Sequence, residues 1–185
     1  MIIGERVRLR AIEKDDLPRF VAWLNDPEVR CNLILYQPLS LPQEEQWYAD
    51  ILKEPVDEQP LCIDIKAGEN WEHTGNISFM QLNQHDRSAE IGIFIGRKDF
   101  WNKGYGCEAM RLMLGHGFNN LNLNRIYLRV YETNPNGVQC YEKAGFKHEG
   151  RLREARYHEG CYIDMLMMSI LKSDWTETEK TGGCA

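Results

Sequence analysis

The segment from Ala89 to Tyr131 constrains the fold more than any other part of the chain. It begins with an alternating strand pattern, "AEIGIFIG", passes through a glycine-containing loop into a helical pattern, and ends in a second strand pattern, "RIYLRVY". A helix between two strands is a crossover connection, and crossover connections join parallel strands. We therefore expect these two strands to be parallel members of one sheet.

The loop within this segment, "FWNKGYGCEAM" from Phe100 to Met110, has the features of an anion-binding site. Gly104 and Gly106 allow a ligand to approach the backbone closely. A helix that begins here would direct several unpaired N–H groups at one point, and that arrangement suits a phosphate. We therefore expect a phosphate-bearing ligand at the start of this helix.

Periodicity predicts the other elements as well, because alternation indicates strands and apolar residues three or four positions apart indicate helices. The elements predicted before the segment are a strand, two helices and two strands: "RVRLRAI", "EKDDLPRFVAWLND", "LPQEEQWYADILKEP", "LCIDIKA" and "GNISFMQL". Those after it are a short helix and a hairpin turned at "HEG": "NPNGVQCYEKAG", "FKHEGRLREARY" and "CYIDMLMMSIL". Because short connections favour antiparallel pairing, the predicted fold class is α+β, with a mixed, mostly antiparallel sheet flanked by helices.

Length and composition fit one globular domain. The chain has 185 residues, of which 43% are hydrophobic, and this length suits one core better than two. We expect a single domain over residues 1–175, followed by a flexible polar tail, "TETEKTGGCA", over residues 176–185.

Charge and hydropathy narrow the classes of partner and compartment. The formal net charge is −6, without a basic cluster for nucleic acid, and the acidic excess suits either a cationic partner or solubility alone. No apolar run is long enough to cross a bilayer, and "MIIGERVRLR" lacks the layout of a signal peptide. We therefore expect a cytoplasmic protein that binds neither nucleic acid nor a membrane.

The cysteines and histidines do not form a recognisable metal-binding motif. The chain has six cysteines and five histidines, but neither a C-x-x-C pair nor an H-E-x-x-H pattern occurs. We expect no metal, and we interpret the cysteines as reduced, buried, small apolar residues.

Two common phosphate-binding motifs can be compared with the glycine loop. The Walker pattern G-x-x-x-x-G-K-[ST] is absent. Gly104, Gly106 and Ala109 match the dinucleotide pattern G-x-G-x-x-A, and Glu132 would be its ribose-binding acid. In that motif the first glycine follows the strand directly, whereas seven residues separate the strand from Gly104 here. An NAD(P)-binding oxidoreductase is therefore a minor alternative.

Two stretches together resemble the GNAT superfamily of N-acetyltransferases. "AEIGIFIGRKDFWNKGYGCEAM" is similar to its cofactor motif, Gln/Arg-x-x-Gly-x-Gly/Ala after a strand that ends in a bulge, although Trp101 stands at the Gln/Arg position. "YETNPNGVQCYEKAGF" resembles its next motif, an asparagine followed by a helix ending in "YEKxGF". The resemblance covers residues 90–171 and, more loosely, 7–29. It is strongest to the branch containing ribosomal-protein N-terminal alanine acetyltransferases and spermidine acetyltransferases.

The resemblance implies a fold and a cofactor. The fold would be that of acyl-CoA N-acyltransferases, with a sheet splayed between the fourth and fifth predicted strands, and the family also suggests a homodimer. The ligand would be acetyl-coenzyme A (acetyl-CoA). The backbone of Ile93, Phe94 and Ile95 would bind its pantetheine arm as a pseudo-strand, and Asn134 would contact the same arm. Its pyrophosphate would be bound mainly by backbone N–H groups of Asn102, Lys103, Gly104, Tyr105, Gly106 and Cys107.

The resemblance also implies direct transfer of an acetyl group to a primary amine. Tyr141, in "CYEKAGF", occupies the position of the family's general acid, which would protonate the leaving thiolate. An ammonium must first lose a proton, and Glu90 is the first candidate for that base, with Glu132 as the second. Cys107 and Cys140 lie nearby, but no histidine is close in sequence and direct transfer needs no covalent intermediate.

The acceptor amine stays open at the level of sequence. A polyamine, a peptide or protein N-terminus and an amino sugar all remain candidates. The acidic stretch "QEEQWYADILKEPVDEQ" would attract a cation, and it would equally serve as a solvated helix face. The alternative to an enzyme is a non-catalytic protein of the same fold that binds or senses acyl-CoA.

Overall fold

The computed structural model describes residues 1–158 and 160–175. The chain divides into two compact units, which are Met1–Phe79 with Gly92–Met113 and Met80–Ile91 with Leu114–Ala185. None of the helices in these described ranges combines the length and the apolar character needed to cross a membrane. The predicted tail, 176–185, lies outside the described residues, and the single domain over residues 1–175 stays a prediction.

Within the described residues, eight strands form one mixed sheet, which confirms the predicted fold class. The strands are β1 (Ile2–Ile3), β2 (Val7–Ala11), β3 (Leu61–Ala67), β4 (Asn70–Asn83), β5 (Ser88–Ile95), β6 (Arg125–Tyr131), β7 (Lys147–His158) and β8 (Cys161–Leu171). Their order is β1-β2-β3-β4-β5-β6-β8-β7. β5 and β6 pair in parallel, as the crossover predicts, whereas β2 pairs antiparallel with β3 and β8 pairs antiparallel with both β6 and β7.

Between the first and the last strand of the described residues, five α-helices connect the strands. They are α1 (Leu17–Leu24), α2 (Pro27–Arg30), α3 (Leu41–Ile51), α4 (Tyr105–Gly115) and α5 (Pro135–Ala144). The ends of α5 follow its sequence: the Asn134 side chain accepts a hydrogen bond from the Gly137 N–H at 3.0 Å, and Gly145 ends the helix with φ of 102°.

The first unit buries one face of its strands against α1 and α3. On this face Cys62 of β3 is fully buried in one cluster with Leu17 and Phe20 of α1. The rings of Phe20 on α1 and Trp47 on α3 meet edge to face, with centroids 6.1 Å apart. The two N-terminal helices therefore share one apolar cluster.

The second unit has its own apolar interior. Ile126 on β6 and Met168 on β8 are fully buried, and they belong to strands that pair in register. Phe118 follows α4 and packs against Trp175, with ring centroids 6.1 Å apart. The parallel pairing of β5 with β6 comprises three residue pairs and ends with Glu90 opposite Tyr127.

Several element boundaries differ from the predictions. The turn predicted over "GENWEHT" takes up only the first residues of that stretch, where Gly68 adopts φ of 65°. β4 therefore begins earlier than predicted, at Asn70. Pro27 directly follows the first predicted helix, "EKDDLPRFVAWLND", and it begins a further short helix, α2, where its missing N–H is harmless. The final hairpin is confirmed, although residue 159 of its "HEG" turn lies outside the described residues.

Candidate active site

The predicted phosphate loop connects the end of β5 to the start of α4. Asn102 and Gly104 both adopt left-handed backbone conformations, with φ of 58° and 84°. Such a conformation is strained for most side chains but not for glycine, so the loop shape depends on Gly104. The indole N–H of Trp101 donates to the Ile95 carbonyl at 2.7 Å and fastens the loop to the strand.

The start of α4 provides the donors that a diphosphate requires. α4 has 11 residues, and Tyr105, Gly106 and Cys107 form its first turn. The first intrahelical bond at this end runs from the Glu108 N–H to the Gly104 carbonyl at 3.1 Å, so the N–H groups before it are directed out of the helix. The exposed Lys103 adds a positive charge. These residues fit the pyrophosphate of acetyl-CoA.

The end of β5 is irregular in the way that a cofactor-binding strand requires. The N–H groups of Gly96 and Arg97 both donate to the Thr74 carbonyl, at 2.7 and 3.2 Å. Two residues facing one partner residue constitute a bulge, which disturbs the regular ladder. No residue larger than glycine fits at position 96, because a Cβ atom there would lie 2.2 Å from the ring of Trp23.

The three β5 residues predicted to bind pantetheine precede this bulge. Ile93, Phe94 and Ile95 are each partly buried. The Phe94 ring lies 6.2 Å from that of Phe20, so this side chain packs against the apolar cluster of the first unit. The Ile95 carbonyl already accepts the Trp101 bond.

The predicted acid, Tyr141, lies on α5 in the second unit. Its ring contacts Phe146 edge to face, with centroids 6.1 Å apart. Burial of the hydroxyl raises the pKa of Tyr141, and the neighbouring Cys140 contributes in the same direction. The phenol therefore stays protonated at neutral pH, which is the state required of a proton donor. On the same helix, Asn134 uses its side chain as the N-cap.

The predicted base, Glu90, is held by an arginine. Arg129 on β6 donates from Nε to one carboxylate oxygen at 2.8 Å and from Nη2 to the other at 2.9 Å. The Glu90 side chain is 7% exposed and that of Arg129 36% exposed. The second candidate, Glu132, is paired with Arg151 and accepts the Asp164 N–H at 3.2 Å. Both carboxylates are therefore engaged within the second unit.

Asp16, Cys62 and His73 of the first unit bring three metal-ligand types together, all buried. Asp16, however, accepts hydrogen bonds from Arg10 at 2.7 and 2.9 Å and from Arg19 at 2.9 Å. Two guanidinium groups on one carboxylate repel a metal cation. This cluster is therefore an ion-pair network within the fold.

The predicted residues fall into two groups. Ile93, Phe94, Ile95 and the loop residues 102–107 lie in the first unit, whereas Glu90, Asn134 and Tyr141 lie in the second. Sequence reasoning missed two side-chain contacts in the first group: the bond from Trp101 to the Ile95 carbonyl and the bond from Arg6 to the Lys103 carbonyl.

Comparison with known proteins identifies the family. Residues 6–147 match the acetyltransferase (GNAT) domain. The chain belongs to the GNAT family. It is an N-acetyltransferase that uses acetyl-CoA, as the loop and the "YEKAGF" helix predicted.

Named relatives and a solved structure agree with this assignment. A spermidine N(1)-acetyltransferase of Vibrio cholerae is 31% identical over 94% of this chain and 97% of its own. The putative ribosomal N-acetyltransferase YdaF of Bacillus subtilis is 29% identical over 96% of this chain and 97% of its own. A crystal structure of the Vibrio cholerae spermidine N-acetyltransferase with CoA and spermine has a TM-score of 0.84 and 29% identity, covering 94% of this chain and 99% of that one.

Proposed function

We propose that this acetyltransferase moves the acetyl group of acetyl-CoA directly to a primary amine of a polyamine. The observation that carries this proposal is the likeness to the spermidine N-acetyltransferase structure that contains CoA and spermine. A polyamine is a flexible chain of ammonium groups, so its recognition requires carboxylates more than an apolar pocket.

The charge of this chain supports a cationic acceptor. The net charge is −6, and α3 and the residues after it carry several acids. Glu44 on α3 is 5% exposed, and its burial raises its pKa. An incoming ammonium would favour the ionised form of such a carboxylate. Asp50 on the same helix is paired with Lys53 at 2.7 Å and is a weaker candidate.

The transfer requires three roles from this chain. The N–H groups at the start of α4 bind the pyrophosphate, and a backbone N–H at the end of β5 faces the thioester oxygen, which gains negative charge as the amine attacks. Tyr141 supplies a proton to the leaving thiolate. Glu90 accepts the proton of the ammonium through a water molecule, using the lone pairs that Arg129 leaves free.

A peptide N-terminus is the second candidate for the acceptor. It is favoured by the likeness to the putative ribosomal N-acetyltransferase YdaF. An α-amino group has a reference pKa of about 8, against about 10 for an alkyl amine, so it needs less help from a base at neutral pH. A strong requirement for Glu90 would therefore favour the polyamine.

One assay separates these candidates. Release of free CoA is measured with acetyl-CoA and three acceptor sets: spermidine and spermine, peptides with free N-termini, and amino sugars. We expect the highest kcat/KM for a polyamine. Turnover confined to peptides would replace the polyamine proposal, and CoA binding without turnover of any acceptor would favour the non-catalytic alternative.

The compartment is proposed from the hydropathy and the N-terminal sequence, and the assembly from the family resemblance. We propose a cytoplasmic protein that forms a homodimer. Light scattering after gel filtration gives the mass in solution, and a mass of one chain at micromolar concentration would contradict the dimer.

A further inference from the structure

Arg6, just before β2, reaches the predicted phosphate loop. Its Nη1 donates to the Lys103 carbonyl at 3.4 Å, and its guanidinium lies 4.9 Å from the ring centroid of Tyr105. A Cβ atom on Gly104 would be 3.7 Å from Nη2. One side chain thus contacts the residues on both sides of Gly104, in the segment in which the pyrophosphate-binding N–H groups lie.

The same arginine is joined to the first turn of α4 through Glu108. Nε and Nη2 of Arg6 both contact Oε2 of Glu108 at 2.9 Å. The other carboxylate oxygen accepts the backbone N–H groups of Arg6 and Val7, at 2.7 and 3.0 Å. Arg6 is itself fixed to the sheet, because its carbonyl accepts the Lys66 N–H at 2.9 Å. The loop and the helix start are therefore tied to the β2–β3 part of the sheet.

The charge balance argues against a direct phosphate contact by Arg6. The Arg6 side chain is 47% exposed and that of Glu108 is 19% exposed, and the two groups neutralise each other. A phosphate at Arg6 would meet a carboxylate whose two oxygens are already bound to this chain. Because the Glu108 charge offsets that of Arg6, an anion is attracted less strongly, and the hydrogen bonds of Arg6 serve to orient its neighbours.

We infer that Arg6 and Glu108 are positioning residues that hold residues 103–105 in the conformation that binds the pyrophosphate. The inference rests on the proposed use of acetyl-CoA by this loop. The pair acts through backbone geometry: it fixes the Lys103 carbonyl and the first turn of α4, so that the N–H groups between them keep their direction. Loss of the pair would weaken binding of the pyrophosphate and leave the chemical step intact.

The experiment compares two acetyl donors, acetyl-CoA and S-acetylpantetheine, which carries the same thioester without the pyrophosphate. Arg6→Met and Glu108→Gln are expected to raise the KM for acetyl-CoA about tenfold, with kcat within about twofold of the parent. With S-acetylpantetheine both variants should match the parent. Dissociation constants for CoA measured by calorimetry give the same comparison without turnover. Arg6→Lys should recover only part of the affinity, because an ammonium group lacks the paired N–H donors of a guanidinium.

Arg8→Met is the matched control, since Arg8 lies on β2, pairs with Asp64 at 2.8 Å and stacks on Trp71. It should leave the ratio between the two donors unchanged. A loss in Arg6→Met that Glu108→Gln does not share would show a direct phosphate contact and overturn the inference. Equal losses with both donors would also overturn it, because they indicate a general defect. Failure of the parent protein to bind CoA would instead refute the proposed cofactor site.

Discussion

The proposed protonation of the leaving thiolate depends on a single group, the Tyr141 hydroxyl. We predict that Tyr141→Phe lowers kcat by about 10²- to 10⁴-fold, the usual contribution of a general acid, with little change in the KM for acetyl-CoA. The ring and its contact with Phe146 are kept, so folding should not suffer. The measurement is CoA release under saturating donor and acceptor.

The matched control is Tyr157→Phe. Tyr157 is 58% exposed and meets the ring of Tyr162 edge to face, and loss of its hydroxyl should not alter kcat. Full turnover by Tyr141→Phe would show that the thiolate leaves without this phenol, and the proposed acid would then be wrong.

Asp16 contributes to stability in a pH-dependent way. Burial opposes its ionisation, but hydrogen bonds from Arg10 and from the Glu13 N–H prevail and hold the pKa of Asp16 below its usual value. A carboxyl whose pKa is lower in the folded state stabilises the fold above its unfolded pKa of about 4, and this stabilisation is lost as the pH falls through the folded value.

We predict that Asp16→Asn lowers the free energy of unfolding by about 3 kcal/mol at pH 7, because Arg10 loses a charged partner in a buried pair. Below about pH 4 the difference between parent and variant should begin to shrink, since the unfolded parent then binds a proton at Asp16 that the folded parent does not bind. Urea unfolding at pH 7 and pH 3.5 measures both values. Asp50→Asn, in an exposed pair with Lys53, should show no measurable change, and a pH-independent difference for Asp16→Asn would contradict the assignment.

At the scale of the elements, Glu90 and Arg129 join β5 to β6 just where their parallel pairing ends. We predict that Glu90→Gln lowers kcat by about 10²-fold or more as the loss of a general base, whereas Arg129→Met has a smaller effect on kcat. Arg129→Met should lower the free energy of unfolding by about 2 kcal/mol, because it leaves a buried carboxylate without its partner. Steady-state kinetics and urea unfolding on both variants provide the comparison.

A structural role and a catalytic role of Glu90 predict different effects on kcat and stability. If Glu90 only joins the strands, the two substitutions should lower kcat and stability equally, and the double variant should be no worse than either single one. That outcome would exclude Glu90 as the base. A kcat loss confined to Glu90→Gln, with a pH profile that loses its acidic limb, would support the proton transfer.

Local sequence rules predicted most of the elements because their determinants are local. Asn134, Pro135 and Gly145 fix the ends of α5 through capping and backbone conformation, and each lies beside the helix it bounds. The parallel pair of β5 and β6 followed from a crossover, which is also a property of one continuous segment.

The contacts that complete the site were not predictable in the same way. Glu108 and Arg6 are 102 positions apart, and no periodicity connects two side chains at that separation. Arg129 was read as one residue of a strand pattern, although it engages Glu90 across 39 positions. Trp101 appeared only as a departure from the family motif, and its bond to Ile95 depends on the turn between them.

At the scale of the whole molecule, ligand binding should raise the thermal stability. A ligand that binds only the folded state at about 100 times its dissociation constant adds about 2.7 kcal/mol. For a chain of this size that corresponds to about 5–10 °C in Tm. We predict such a shift with acetyl-CoA and with CoA, because both carry the pantetheine arm that the end of β5 would bind in addition to the pyrophosphate. We predict none with NAD⁺ or NADP⁺, which carry a pyrophosphate without that arm, and for which the glycine loop begins too far after β5.

The same scan tests where the acceptor binds. Spermine alone should raise Tm less than spermine added with CoA, if the amine and the cofactor occupy adjacent positions and stabilise each other. Sodium chloride of matched ionic strength is the control, since a polycation also screens the excess negative charge of the chain. An equal rise in Tm with salt and with spermine would show that spermine acts only by screening charge. A rise in Tm with NAD⁺ but not with CoA would contradict the cofactor assignment, which the loop, the start of α4 and Tyr141 support.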